Sequence, residues 1–371
     1  MKVIIAAAGT GGHINPGIAI AGIIEKENPG SDIRFIATGK KLEEDLISKA
    51  GYKSYAIEAY GFSKKPTISN VKKMIKTLKG FKEAKKILEE FKPDIVIGTG
   101  GYICGAVISS AKKLKIPTLL HESNAYPGLA VRLLSKKVDT ILVGIDEAKD
   151  SLKKAKRVVY TGTPTKVKPL NLSDSEKRRI LEELGVSNAL PIVLVFGGSQ
   201  GAKRINDCII DILRNKKNEQ YQIVWSTGAE QFNYIKEELQ KSNIDIENVK
   251  NAKVLPYIYN MDEVMSISSL VVARSGALTL TELALLGKPA IFIPLPSSSA
   301  NRQEDNARVF EKRGAAKIIL NNDVTSDKLN DMINGVIINK EELSNMSLAS
   351  KGMAIYDVED RIYSEIKRLV G

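Results

Sequence analysis

The sequence has few of the residues that mark disulfide-rich or metal-binding proteins. Its 371 residues include two cysteines, Cys104 and Cys208, and two histidines. The cysteines form neither a CxxC pair nor a disulfide framework, and each lies in an apolar context typical of a small buried side chain. No Asp-x-Asp pair occurs and neither histidine has a partner at ligand spacing, so a magnesium or zinc site has no support. We expect chemistry without a metal or cofactor.

Long apolar runs are also missing. No stretch approaches the roughly 20 apolar residues that a membrane-spanning helix requires. The start MKVIIAAAGTGG breaks into glycines too early for a signal peptide, so we expect a cytoplasmic chain. A composition of 43% hydrophobic and 26% charged residues excludes disorder and fibrous repeats. The length suits two domains of roughly 100 to 200 residues each.

Acidic residues are outnumbered by basic ones, which gives a formal net charge of +12. This charge calls for an anionic partner, either nucleic acid, anionic lipid or a phosphorylated substrate. Proteins that bind nucleic acid usually have an aromatic-studded basic face or a reading helix. Because only 6% of the residues are aromatic, we expect no nucleic-acid partner.

Short apolar runs recur at intervals that predict a parallel α/β fold. The first predicted strand, Lys2–Ala8, is followed by a glycine-rich loop, and a helix is predicted over Ile14–Lys26. Further strands are predicted at Asp32–Ala37, Asp94–Gly98, Thr118–His121, Thr140–Val143, Gln222–Ser226, Leu270–Ala273, Ala290–Ile293 and Ala316–Ile319. Because the pattern restarts at Pro191 with PIVLVFGGSQGA, we predict two doubly wound halves with a boundary near residue 164. A closing helix from about Ala354 to Leu369 could pack on either half.

Three glycine loops follow predicted strands: Gly9–His13 (GTGGH), Gly98–Tyr102 (GTGGY) and Gly197–Ala202 (GGSQGA). In doubly wound domains, ligands bind at the carboxyl ends of strands, where helix amino termini present unpaired N–H groups to phosphate. Loops that open both halves favour a cleft between the domains. The GxGxxG fingerprint would need a glycine where Ile14 stands, which argues against a nicotinamide-dependent dehydrogenase.

The segment RSGALTLTELALLGKP, starting at Arg274, contains a fourth turn between strand and helix. The predicted helix Leu278–Leu286 could direct its first N–H groups at a diphosphate, and Glu282 could bind a ribose diol. Taken alone, Glu282 also suits a solvated helix face.

The segment from Lys64 to Lys92 is strongly basic, with ten lysines against three glutamates. Apolar residues recur within it at helical spacing: Ile68, Val71, Met74, Ile75, Leu78 and Phe81. Two interpretations stay open, a core-facing stripe with a solvated lysine face and an amphipathic surface that binds an anionic membrane.

These motifs together resemble the MurG family of peptidoglycan glycosyltransferases. The resemblance covers nearly the whole chain through motifs in the same order: GTGGHINPGIAIA, GTGGYICGA, HESNAYPGLAVRLLS, GGSQGAKRIN, RSGALTLTE and NRQEDNA. It implies transfer of N-acetylglucosamine from UDP to undecaprenyl-diphosphate-linked N-acetylmuramyl pentapeptide. It also implies attachment to the cytoplasmic face of the bacterial membrane, through anionic inner-membrane lipids, and cell-wall synthesis proteins as candidate partners.

The resemblance implies a glycosyltransferase B-type fold with two Rossmann-like α/β domains facing a cleft. Residues 1–164 would form the acceptor and membrane-facing domain, and residues 165–353 the domain that binds UDP-N-acetylglucosamine. The closing segment 354–371 would pack back on the first domain. Carried over by motif, the implied substrate contacts are Thr10, Gly11, Gly12, Asn124, Lys166, Ser199, Ile258, Ala277, Leu278, Thr279, Glu282 and Gln303.

Several motif positions depart from the family pattern, Val131 and Arg302 among them. The chain has HESN with Ser123 where relatives commonly have HEQN, and GTPTK with Thr163 and Lys166 where they have GNPVR. Lysine keeps the positive charge of arginine but loses its bidentate geometry. Whether Lys166 replaces that arginine as a phosphate contact is therefore left open by the sequence.

His13 is our candidate for the catalytic base. The resemblance implies an inverting reaction in which the acceptor's 4-hydroxyl attacks the anomeric carbon, and an imidazole is suited to take the hydroxyl proton near neutral pH. The alternative is a structural histidine. Glu122 is a second catalytic candidate and, with Tyr102, would position the acceptor, whereas His121 would orient the turn that follows it.

Other activities remain open on the same motifs. A transferase with another lipid acceptor such as diacylglycerol, a UDP-sugar epimerase and a nucleotide-binding regulator could share them. The regulator would not need a histidine at the sugar end of the cleft. Dependence of UDP release on the acceptor would discriminate a transferase from an epimerase.

Overall fold

The computed structural model describes residues 1–60, 68–187, 189–198, 200–296 and 301–371, with the backbone alone for 68–75. The chain divides into two compact units. Unit 1 is Met1–Lys166 with Ile355–Gly371, and unit 2 is Val167–Ala354. Each unit is built on one parallel sheet with helices along the chain between its strands, so the predicted α/β class is confirmed. No helix of the described residues is both long and apolar enough to cross a membrane.

Unit 1 contains a seven-stranded parallel sheet in the order β3-β2-β1-β4-β5-β6-β7. Its strands are β1 (Lys2–Ala7), β2 (Asp32–Ala37), β3 (Lys53–Ala56), β4 (Ile95–Gly100), β5 (Thr118–Glu122), β6 (Thr140–Val143) and β7 (Val158–Tyr160). Its helices are α1 (Gly11–Glu27), α2 (Lys41–Lys49), α3 (Ile68–Phe91), α4 (Ile103–Lys113) and α5 (Leu129–Leu134), with a 3₁₀ helix at Asp146–Leu152. From β1 the strand order runs outward to β2 and β3 on one side and to β4 through β7 on the other. The boundary between β1 and β4 is therefore the switch point, where such sheets bind ligands.

Unit 2 contains a six-stranded parallel sheet in the order β10-β9-β8-β11-β12-β13. Its strands are β8 (Ile192–Phe196), β9 (Gln222–Ser226), β10 (Ala252–Leu255), β11 (Leu270–Ala273), β12 (Ala290–Phe292) and β13 (Ala316–Ile318). Its helices are α6 (Asp174–Leu184), α7 (Lys203–Arg214), α8 (Ala229–Gln240), α9 (Met261–Ile267), α10 (Ala277–Leu286), α11 (Arg302–Lys312), α12 (Ser326–Ile338) and α13 (Lys340–Lys351), with a 3₁₀ helix at Ile246–Asn248. The switch point lies between β8 and β11.

The last helix, α14 (Val358–Val370), belongs to unit 1. Its apolar face, Val358, Ile362 and Ile366, is buried in the core cluster that contains the apolar side chains of α1. Glu365 of the same helix is buried as well, and it accepts hydrogen bonds from Arg157 Nε at 2.9 Å and Arg368 Nε at 2.8 Å. Apolar burial and a charged network therefore both fasten α14 to unit 1.

Both cysteines are buried, as predicted. Burial raises the pKa of Cys104 to about 12 and that of Cys208 to about 11. The unreactive thiol form is therefore favoured at both positions.

Three strands were not predicted: β3, β7 and β10. All three lie at an edge of a sheet, and their side chains are mostly half-buried or exposed. An edge strand has fewer apolar neighbours than a central one, so its sequence lacks the continuous apolar run by which the other strands are recognised.

Candidate active site

The first two glycine loops of unit 1 meet at the switch point. Gly101, with φ of +86°, lies so close to the first loop that a Cβ there would be 2.5 Å from the carbonyl oxygen of Ala8. Gly100, with φ of +137°, lies against the ring of His13, where a Cβ would be 2.3 Å from Cδ2. The two loops predicted separately therefore form one site around His13.

The backbone around His13 fixes both its main chain and its ring. Thr99 Oγ1 donates a hydrogen bond to the carbonyl oxygen of His13 at 2.8 Å, which joins the start of α1 to the end of β4. His13 Nδ1 lies 2.9 Å from the carbonyl oxygen of Ala8. Because a carbonyl only accepts, Nδ1 carries the proton in the neutral ring and Nε2 keeps its lone pair. His13 can therefore accept a proton at Nε2.

Thr10, Gly11 and Gly12 form the start of α1 beside this histidine. Thr10 precedes the helix in an extended conformation without a capping hydrogen bond from its side chain, and both Thr10 and Gly12 are exposed. The first N–H groups of a helix have no acceptor within the helix. This end of α1 can therefore receive an anionic group.

Glu122 organises the loop that follows β5. Its Oε1 accepts hydrogen bonds from Asn124 N at 3.0 Å and Asn124 Nδ2 at 2.9 Å, and its Oε2 accepts one from Gly128 N at 2.7 Å. Gly128 directly precedes α5, so the buried carboxylate joins the start of that helix to Asn124. The geometry gives Glu122 a positioning role for Asn124.

His121 is buried behind this loop. Its Nε2 lies 3.1 Å from the carbonyl oxygen of Gly162, so Nε2 carries the proton, and its Nδ1 lies 3.4 Å from Ser123 Oγ. Burial lowers the pKa of His121, which favours the neutral ring. His121 thus connects the HESN turn to the segment that precedes unit 2.

The two departures within the GTPTK motif, Thr163 and Lys166, differ in their surroundings. The hydroxyl of Thr163 is buried and has no hydrogen-bond partner among the described residues. A Cβ on Gly144 would lie 2.0 Å from that hydroxyl. Lys166, by contrast, is exposed, so its ammonium group is accessible to an anion.

In unit 2 the GGSQG loop folds tightly against the end of β9. A Cβ on Gly201 would lie 2.1 Å from Thr227 O, and a Cβ on Gly197 would lie 2.4 Å from Ala202 N. Gly198 has φ of +89°, and no atom of the described residues lies within 4 Å of its Cβ position, so another group could approach its backbone closely. The predicted phosphate contact Ser199 lies outside the described residues.

A second turn in unit 2 joins β11 to α10 and α11. Ser275 Oγ donates to Gln303 O at 2.7 Å, and Asn306 Nδ2 donates to Ser275 O at 3.1 Å. Gln303 Oε1 accepts a hydrogen bond from Leu295 N at 2.9 Å. The side-chain oxygen of Gln303 is therefore used within the protein, and its Nε2 is the group suited to donate to a ligand.

The start of α10 contains four predicted contact residues: Ala277, Leu278, Thr279 and Glu282. All four are half-buried. Gly276 precedes the helix in an extended conformation, so the first N–H groups of α10 face the carboxyl end of the sheet, where anions are favoured.

Arg274 is the first residue of the RSG turn between β11 and α10, and the sequence did not predict its environment. Its Nη1 donates to Ile293 O at 2.7 Å and to Asn321 Oδ1 at 2.9 Å, whereas its buried Nε has no partner among the described residues. Burial lowers the pKa of Arg274 to about 10, so the side chain stays cationic at neutral pH. The sequence showed the RSG turn but not the burial of its arginine.

Ile258 follows β10 at the outer end of the same carboxyl edge. It is buried, although Tyr257 and Tyr259 on either side are exposed and pack edge to face with centroids 4.9 Å apart. Across the sheet, the candidate contacts of unit 2 thus follow the strand order: Ile258 after β10, the GGSQG loop after β8, α10 after β11 and Gln303 beyond β12.

The chain matches known families and proteins along its length. The glycosyltransferase family 28 N-terminal domain matches residues 3–143, and the family 28 C-terminal domain matches residues 192–362. A protein of Ruminiclostridium cellulolyticum is 40% identical over 370 residues, covering 100% of both chains. It is named UDP-N-acetylglucosamine--N-acetylmuramyl-(pentapeptide) pyrophosphoryl-undecaprenol N-acetylglucosamine transferase. A Bacillus cereus relative with this name, numbered 1, is 38% identical and also covers both chains fully.

Solved structures agree with these relatives. MurG of Acinetobacter baumannii superposes with a TM-score of 0.77 at 26% identity, over 99% of this chain and 100% of the other. A UDP-GlcNAc 2-epimerase from Neisseria meningitidis shares the fold at 17% identity, with a TM-score of 0.66 over 99% of this chain and 100% of the other. The 40% identity of the Ruminiclostridium relative over both full chains shows the family, whereas the 17% identity of the epimerase shows a shared fold alone. The chain belongs to glycosyltransferase family 28 and, within it, to the MurG family.

Proposed function

We propose that this protein transfers N-acetylglucosamine, with inversion, from UDP-N-acetylglucosamine to the 4-hydroxyl of undecaprenyl-diphosphate-linked N-acetylmuramyl pentapeptide. One observation carries the proposal: a relative named for this transfer is 40% identical over the full length of the chain. The active-site geometry is consistent with such chemistry because His13 keeps a proton-accepting nitrogen beside two glycine loops.

The arrangement of unit 2 supports an extended donor along the carboxyl edge of its sheet. Four strand spacings separate β10 from β12, which is roughly 19 Å at about 4.8 Å per spacing. We propose that uracil lies beside Ile258, the diphosphate near Gly198 and the start of α10, the ribose at Glu282, and the sugar at Gln303. Ser199 and Lys166 would add phosphate contacts, and Thr10, Gly11, Gly12 and Asn124 would meet the donor from unit 1.

In the proposed reaction the acceptor oxygen forms a bond to the anomeric carbon as the bond from that carbon to the diphosphate oxygen breaks. The hydroxyl proton moves to His13 Nε2, and UDP departs with the electron pair of the broken bond. The amino-terminal ends of α7 and α10 are suited to stabilise the negative charge that develops on the diphosphate. Glu122 contributes by holding Asn124.

The test is UDP release from UDP-N-acetylglucosamine in the presence of EDTA, with and without a synthetic lipid-linked muramyl-pentapeptide acceptor. We expect release that depends on the acceptor and survives chelation. His13→Ala should then lower turnover by roughly 100 to 10,000-fold, the usual contribution of a general base, with little change in UDP affinity. Turnover without acceptor would instead indicate an epimerase or hydrolase, and a large loss of UDP affinity would make His13 a binding residue.

We also propose that α3 docks the protein on anionic membrane. Within its described side chains, Leu78 is 58% exposed among Lys76, Lys79 and Lys82, which are exposed as well. Phe81 packs against the core instead, so it belongs to the buried face of the helix. Residues 64–67 and the side chains of Ile68, Val71, Lys72, Lys73, Met74 and Ile75 lie outside the described residues.

Docking is tested by sedimentation with vesicles of phosphatidylcholine, with and without phosphatidylglycerol. The double variant Lys79→Glu/Lys82→Glu should bind the anionic vesicles markedly more weakly, because each lysine near such a surface contributes about 1 kcal/mol. The control Lys312→Glu/Lys328→Glu makes the same charge change on exposed residues of unit 2. Equal losses in both variants would contradict a specific role for α3.

A further inference from the structure

Glu43 is a fully buried carboxylate near the start of α2. Its Oε1 accepts a hydrogen bond from Gly9 N at 2.7 Å, and its Oε2 accepts one from Thr38 N at 2.7 Å. The hydroxyl of Thr38 lies 2.8 Å from both oxygens. These partners offer N–H and O–H donors to both oxygens, an arrangement that fits an ionised carboxylate and offsets the free-energy cost of burying it.

One peptide group connects Glu43 to His13. The peptide between Ala8 and Gly9 donates its N–H to Glu43 Oε1, and its carbonyl oxygen lies 2.9 Å from His13 Nδ1. Carboxylate, peptide and imidazole therefore form a continuous chain of hydrogen bonds. In such a chain each hydrogen bond polarises the next. A carboxylate that accepts from the N–H of a peptide group therefore makes the carbonyl oxygen of the same group a better acceptor.

We propose that Glu43 is a positioning residue for His13, acting through the Ala8–Gly9 peptide. The carboxylate fixes the orientation of this peptide, which glycine at position 9, with φ of +106°, would otherwise leave free to rotate. The fixed carbonyl then holds the proton on Nδ1 and leaves Nε2 as the acceptor. The inference rests on the proposed role of His13 as the base.

Capping of α2 alone does not account for this geometry. A glutamate at the third position of a helix typically bonds back to the N–H of the capping residue, here Lys40. Glu43 instead reaches Thr38 and, 34 residues away in the chain, Gly9. Glu44, the next residue, is exposed, and this makes it a matched control.

The decisive measurement is the tautomer of His13 in Glu43→Gln. Two-bond ¹H–¹⁵N correlation spectra of protein labelled with ¹⁵N-histidine distinguish Nδ1–H from Nε2–H, and the chain has two histidines. In the unmodified protein at pH 8 we expect Nδ1–H for His13 and Nε2–H for His121, which serves as an internal reference. Glu43→Gln should lose the Nδ1–H preference of His13, whereas Glu44→Gln should keep it. An unchanged His13 signature in Glu43→Gln would overturn the proposal.

Turnover gives a second, independent readout. Glu43→Gln should lower kcat by about 10-fold, a part of the roughly 100 to 10,000-fold that a general base contributes, and leave the Kd for UDP within about 2-fold of the unmodified value. Equal turnover in Glu43→Gln and Glu44→Gln would count against a positioning role of Glu43.

If Glu43→Gln does not fold, as judged by circular dichroism, Thr38→Val is the second variant. It removes one donor to the carboxylate and should shift the His13 tautomer in the same direction. Full turnover in His13→Ala would refute the base itself, while the tautomer measurement would still decide whether Glu43 orients the ring.

Discussion

The ring of His13 lies against the backbone of Gly100 with no room for a side chain between them. This contact explains why the second glycine loop, GTGGY, is needed even though it lies almost ninety positions along the chain from His13. The positive φ of Gly100 is also one that residues with a Cβ rarely adopt. At this position the backbone conformation of the loop and the placement of the His13 ring depend on the same residue.

Gly100→Ala should therefore impair catalysis. The added Cβ would lie 2.3 Å from His13 Cδ2, so the ring must move, and we expect kcat to fall by at least roughly 100-fold, as for loss of the base. Steady-state kinetics with both substrates measures the change. Gly105→Ala is the control because Gly105 lies in α4 and, in the part of the chain that the structure describes, no atom comes within 4 Å of its Cβ position. Similar activity in the two variants would contradict the packing argument.

The sequence predicts the positions of the glycine loops but not what holds them. Strand, loop and helix are read from local pattern, and the signals in GTGGH and GGSQGA lie within a few residues. Glu43 has no such signal, since nothing in KKLEEDL distinguishes it from the exposed Glu44. Its partner Gly9 is brought to it by the pairing of β1 with β2, a contact between distant parts of the chain.

At the scale of elements, α14 is the part of unit 1 whose attachment can be tested most directly. Its charged network centres on Glu365, the pKa of which is lowered by hydrogen bonds from Arg157 and then Arg368, although burial opposes the shift. A lowered carboxylate pKa stabilises the folded state above the unfolded pKa of about 4.3. That contribution is lost as the pH falls through the folded pKa.

Glu365→Gln should lower the free energy of opening of α14 at pH 7 by about 1 to 2 kcal/mol, because it breaks a half-exposed network of charged hydrogen bonds. The difference from the unmodified protein should narrow at pH 4. Amide hydrogen exchange of α14 at the two pH values measures both effects. Glu359 lies on the same helix as Glu365 and forms a more exposed ion pair with Lys26 of α1. Glu359→Gln should lower the free energy of opening of α14 by less than about 1 kcal/mol. A pH-independent effect of Glu365→Gln would show that its charge is not the cause.

At the scale of the whole molecule, the two units have separate sheets and separate cores. The candidate donor contacts after β8, β10, β11 and β12 all belong to unit 2. A ligand that binds the folded state stabilises the part that it binds, by about 2.7 kcal/mol at 100 times its Kd.

Saturating UDP should therefore protect amides of unit 2 selectively. We expect slower hydrogen exchange around Phe196–Gly198 and at the start of α10, with little change in the strands of unit 1. Peptide-resolved exchange with and without UDP measures this difference, and UMP serves as a control for the contribution of the second phosphate. Protection confined to unit 1 would contradict the proposed donor site.

Unit 1 is built from two segments that are far apart in the sequence, and this sets the order in which the two units can be completed during synthesis. Residues 355–371 leave the ribosome only after every residue of unit 2 has been made. The apolar face of α1 that packs with Val358, Ile362 and Ile366 thus stays uncovered while unit 2 can already fold as a contiguous segment. The half of the molecule that is translated first is completed last, so a nascent chain that stalls anywhere within unit 2 presents an open hydrophobic surface on unit 1 to chaperones.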